Sequence, residues 1–110
     1  MEPNIKAWLK DIELAIEEIN DFLSQEMDFI VFQKDLKTRK AVERNIEIIG
    51  EAKDRILEKA PDILISDSRK IVDTRNRIIH GYDSVSADVL WLIINRHLPI
   101  LKIEVKELLK

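Results

Sequence analysis

The chain has no cysteine, only two glycines and three prolines in 110 residues, and no long uncharged apolar run. Without cysteine there is no disulfide framework, no thiol nucleophile and no zinc ribbon. So few turn residues argue against a many-stranded sandwich or barrel, because each tight turn calls for its own Gly, Pro or Asn-Gly pair. What the chain does have is 45% hydrophobic and 35% charged residues. That balance excludes a disordered tail and a membrane span, and the length suits one domain over residues 1–110. Residues 1–13 carry acids where a signal peptide needs an apolar core, so a cytoplasmic location is expected.

The net charge of -3 is an unpromising bulk value for a nucleic-acid binder. It is unevenly spread. Residues 1–32 hold eight acids against two bases, net -6, whereas residues 34–77 hold twelve bases against nine acids, net +3. Residues 78–110 hold four of each. A basic middle behind an acidic start fits an anion-binding face, and it equally fits a solvated helix.

Periodicity points to helices throughout. Ile5, Trp8, Leu9, Ile12, Ile16, Ile19 and Leu23 step by three or four, which predicts a helix from about residue 4 to about residue 25 with Asn4 as its N-cap. The apolar knot from Phe29 to Phe32, following Asp28, reads as a helical turn over the core. A long helix is expected from about residue 35 to Lys59, ended by Pro61, with Val42, Ile46, Ile49, Ala52 and Ile56 as its apolar row. Gly50 inside it costs about 1 kcal/mol relative to alanine, a cost better tolerated where another backbone approaches closely. A third helix opens at Ser66 or Asp67, buries Ile71, Val72, Ile78 and Ile79, and closes at Gly81. A fourth opens near Ser86 and runs through Val89, Leu90, Leu92, Ile93 and Ile94, with Pro99 expected to kink or break it. The expected fold is all-α, an antiparallel four-helix bundle with room for short extra helices.

One stretch is unlike ordinary bundle sequence: Thr74-Arg75-Asn76-Arg77-Ile78-Ile79-His80-Gly81-Tyr82. His80 falls at the expected C-terminal end of the third helix, where the helix dipole favours its protonated form. Asn76, four residues earlier on the same face, is placed to orient the imidazole. Arg75 lies about 140° around the helix from His80, so one helix converges the two poorly. Pairing the helix with a two-fold copy would bring them together, which points to a composite site in a homodimer. Arginine, histidine and an amide, with no metal cluster, suit cleavage of an RNA phosphodiester. Histidine acts there as general base or acid, and the arginine fork holds the phosphate. The same residues also permit a purely structural role, with Arg75 and Arg77 pairing to Asp73 or a glutamate and His80 capping the helix.

Arg75-Asn76-(x3)-His80-x-Tyr82 resembles the R-x4-H-x-Y signature of the HEPN superfamily, specifically its HepT-like toxin branch. Residues 41–52, Ala-Val-Glu-Arg-Asn-Ile-Glu-Ile-Ile-Gly-Glu-Ala, resemble the family's second core helix, and residues 83–91 with Leu98-Pro99 resemble its last helical region. The likeness covers essentially the whole chain and departs at no motif position. It implies an all-helical, homodimeric HEPN-like domain and a metal-independent ribonuclease toxin of a type VII toxin–antitoxin system, acting on RNA, tRNA included. It assigns Arg75 and His80 to cleavage, matches Asn76 to the polar position after the arginine, and makes Tyr82 the residue that a partner nucleotidyltransferase antitoxin modifies with AMP. The competing expectation is a catalytically idle substrate-binding or regulatory subunit of a nucleotidyltransferase.

The remaining candidates are weaker. Lys37, Arg39, Lys40 and Arg44, with Lys34 before them and Arg69, Lys70 and Arg77 beyond, are positioned to track an RNA backbone, though Asp35 and Glu43 interrupt the run. His97 gets no role. With two histidines and no zinc-type spacing, no metal ligand set is expected. No Gly-rich phosphate loop is present, and no cofactor is expected. Glu17, Glu18 and Asp21 read as a solvated face or as a surface for a basic partner. Trp8 and Trp91 read as core or interface anchors rather than base-stacking platforms.

Overall fold

Helix starts in this chain are set by side chains that accept backbone N–H groups. The computed structural model describes residues 1–23, 26–65, 71, 73, 74, 76 and 86–110. The first helix, α1 (Pro3–Phe22), is capped by Glu2, whose carboxylate accepts the Asn4 N–H at 2.9 Å. Asn4 is therefore not the cap expected of it. Pro3 takes the first helical position, where its missing N–H costs nothing, and so shifts the start forward. The end also comes earlier than residue 25, with extended backbone at Leu23.

The apolar knot is a two-turn helix, α2 (Phe29–Lys34), capped by Asp28 on the Val31 N–H. Asp35 then ends α2 and caps α3 (Leu36–Lys59), the longest element. The final rod begins with α4 (Ala87–Leu92), where Ser86 caps Val89. It passes through a π-helical turn over Ile93–His97 into α5 (Leu98–Leu108). Between α3 and α4, Ile71, Asp73, Thr74 and Asn76 are helical. There is no strand among the described residues.

Pro99 neither breaks nor ends this rod. In an α-helix its ring would clash with the carbonyl four residues back and leave it without a donor. The π turn reroutes the bonding: the Leu98 N–H reaches the Ile93 carbonyl, five residues back, and the Asn95 amide donates to the Trp91 carbonyl at 2.9 Å. Pro99 then sits in the first turn of α5, where it is tolerated.

One apolar core joins the elements. Ile5, Leu9, Ile12, Ile16 and Ile19 of α1 meet the α3 row Val42, Ile46, Ile49 and Ile56 and the final rod's Leu90, Ile93, Leu101 and Val105. α1 packs mainly against α3 and also against α5, while α3 touches α2 and α4. Residues on several sides of α3 are buried, Gly50 among them, because this helix runs through the middle. Phe32 is fully buried, its ring 5.1 Å from that of Trp91, which Phe29 meets edge-on at 6.0 Å. These rings fasten the short α2 across α3 and α4, with Trp91 half-buried against the core, one of the two anchoring roles expected of it.

Candidate functional site

Ile71 and Thr74, three residues apart on one helical face, are 1% and 3% exposed, and Asp73 between them is exposed. Ile71 faces inward as expected of the third helix, and Thr74 is a buried polar residue that the apolar pattern did not include. Asn76 is half-buried and engaged by an interaction within the protein. Two residues on from Thr74 is about 200° of rotation, so burial is not confined to the Ile71–Thr74 side of this helix. A carboxamide held there both donates and accepts, which is what orienting a neighbouring imidazole or phosphate requires. Arg75, His80 and Tyr82 lie outside the described residues, as do Arg77, Arg69, Lys70, Gly81, Val72, Ile78 and Ile79. Of the expected catalytic set, the described residues place Asn76 alone.

The basic run is less available than its sequence suggests. Lys40 pairs with Glu43 and Arg44 with Glu47, each at 3.4 Å. Arg39 is half-buried, and its guanidinium donates to the Gln33 carbonyl at 3.2 Å, tying α3 back to α2. Lys37 and Lys34 are exposed, Lys34 in the last turn of α2, where the helix dipole favours a cation. Lys37 lies near Asp35. The Thr38 hydroxyl, first, and then the Thr38 N–H hold the Asp35 carboxyl below its ordinary value, with Lys37 adding to this and partial burial opposing it. Three of these five cations thus have a partner within the protein, and Lys40 and Arg44 stay exposed while paired.

Three polar residues on α3 are buried, Glu43 beside Lys40 and two more that escaped the sequence reading. Lys53 is fully buried and held by an interaction within the protein, and Asn45 is 4% exposed. Both fall at three- or four-residue steps from Ile46, Ile49 and Ile56, so each is a polar residue inside an apolar row. That interruption is the signal that could have found them. His97, at the end of the π turn, is half-buried and engaged. Among the described residues, no three His, Asp or Glu side chains cluster as metal ligands, and no helix is long and apolar enough to cross a membrane.

A protein of Thermococcus cleftensis named "Probable ribonuclease HepT" is 37% identical over 114 residues, covering all of both chains. A protein of Methanocaldococcus jannaschii, named as a candidate RNase, is 32% identical over 97% of this chain and 88% of its own. Another candidate RNase, from Caldanaerobacter subterraneus, is 30% identical over 98% of this chain and 93% of its own. No solved structure matches significantly. The family model for ribonuclease HepT-like proteins matches residues 12–108, from the middle of α1 to the end of α5, and so the chain belongs to the HepT-like ribonuclease family.

Proposed function

We propose that this protein is a metal-independent ribonuclease toxin acting as a homodimer in the cytoplasm. The observation that carries the reading is the family match over residues 12–108, which encloses the uninterrupted set Arg75, Asn76, His80 and Tyr82. His80 takes the proton of an RNA 2′-hydroxyl as its oxygen forms a bond to phosphorus, and the P–O5′ bond breaks with a proton returned to the leaving oxygen. With two copies of the motif side by side, His80 of one copy serves as general acid and base beside Arg75 of the other. Arg75 holds the phosphate and offsets the charge that develops on its oxygens, and Asn76 orients the groups. Transfer RNA is included among the substrates of this reading.

Tyr82 supplies the off-switch of a type VII toxin–antitoxin pair. A partner nucleotidyltransferase transfers AMP from ATP to the phenol oxygen, releasing pyrophosphate. The added bulk and negative charge beside the arginines then exclude RNA.

The test is incubation of the purified, unmodified protein with RNA in EDTA. Wild type is expected to cut and His80→Ala to lose at least a hundredfold in rate. A deoxy strand of matched sequence is expected to survive, since it has no 2′-hydroxyl. RNA left intact by unmodified wild type rejects the enzyme in favour of an idle, nucleotidyltransferase-docking subunit.

A further inference from the structure

The seam between α1 and α3 is grooved. Two adjoining depressions share Asp11 and Ile48 as lining residues and so form one groove. At about 160 and 190 Å³ they are well below the roughly 300–1,000 Å³ of a small-molecule pocket, so each suits a single side chain of a larger partner. Trp8, half-buried, lines one end, and Leu14, 56% exposed, lines the other.

Asn45 lines the Leu14 end, and its amide is only half satisfied. Its Nδ2 donates to the Ala41 carbonyl at 3.1 Å, while its Oδ1 is buried and accepts no hydrogen bond. Turning the amide over would set oxygen against oxygen, so the orientation is fixed and the free group is an acceptor. Whatever completes it must bring a donor.

The charges beside it agree. Asp11 and Glu18 are exposed and make no ion pair among the described residues, whereas Arg55 is already paired with Glu51 at 2.8 Å. A phosphate backbone would meet two unpaired carboxylates here. A two-fold contact with a second copy would set the same acids against each other.

We propose that the α1–α3 groove docks a helical segment of a partner protein that presents a lysine or arginine among apolar side chains. The cation donates to Asn45 Oδ1 between Asp11 and Glu18, and the apolar side chains cover Leu14, Ile48 and Trp8. This contact does not depend on the ribonuclease reading.

The experiment titrates the isotope-labelled protein with a synthetic leucine–lysine amphipathic helix and with its leucine–glutamate counterpart, followed by NMR. The lysine peptide is expected to shift the Asn45 carboxamide and Trp8 indole signals, and the glutamate peptide to leave them. Asp11→Asn with Glu18→Gln, both on the surface, is expected to weaken binding at least tenfold with the spectrum otherwise preserved. Signals that do not move, an equal response to the glutamate peptide, or unchanged affinity in the double variant would overturn the proposal. So would spermidine or an RNA oligonucleotide shifting the same two signals at the same concentration.

Discussion

Asp35 shows how much one side chain settles locally. Its carboxylate accepts from the Thr38 hydroxyl at 2.7 Å and from the Thr38 N–H at 3.0 Å, closing α2 and opening α3 in a single residue. Both bonds favour the charged form, so the folded value lies below the ordinary carboxylate value. The sign follows directly: the charged cap's contribution is complete above the unfolded value of about 3.9 and is lost as pH falls through the lower folded value. Asp35→Asn keeps a capping oxygen but removes the titration. Thermal midpoints followed by circular dichroism from about pH 5 down to about pH 2 should therefore fall more steeply for wild type than for Asp35→Asn. Parallel curves would show that the carboxylate gains nothing from Thr38. The pattern Asp-x-x-Thr was visible in the sequence; the Asn4 cap failed because Pro3 had already begun the helix.

At the scale of elements, the final rod is the informative case. A proline in mid-pattern argues for a break, yet the chain continues through a π turn and Asn95 covers the Trp91 carbonyl. Because Pro99 occupies a first-turn position, its rigidity stabilises the native state by limiting the unfolded chain. Pro99→Ala is expected to lower stability by about 0.4–1 kcal/mol, read from the urea midpoint at unchanged slope. A gain in stability would show that the ring strains the rod. The short α2 is held differently. Six residues make a poor helix alone, and Phe32 with its Trp91 contact keeps it folded. Phe32→Ala should cost about 3–5 kcal/mol, measured by the same unfolding experiment.

For the whole molecule, the charge division of the sequence becomes spatial. The acidic α1 lies along the middle of α3, where Asp11 and Glu18 edge a groove, while the cations at the start of α3 are partly spent on Glu43, Glu47 and the Gln33 carbonyl. RNA cleavage by a site shared between copies makes a specific demand. Sedimentation at micromolar concentration should give twice the chain mass. In a mixed dimer of Arg75→Ala with His80→Ala, one composite site keeps both residues, so co-expression should restore cleavage that neither variant shows alone. If each site is built within one chain, the mixed dimer stays inactive and the composite site is wrong.

Periodicity, caps and breakers by themselves determined that the chain is helical, where α2 and α3 begin, which rows are apolar, and the motif that places it in its family. These are local matters, decided by spacing along one chain. Tertiary packing alone decided that Lys53 and Asn45 lie buried against other helices and that α1 and α3 leave a groove with an unmet acceptor. Each depends on which helix lies against which. Burial is a property of neighbours distant in sequence: a helical period marks the row, and only packing decides what lies against it.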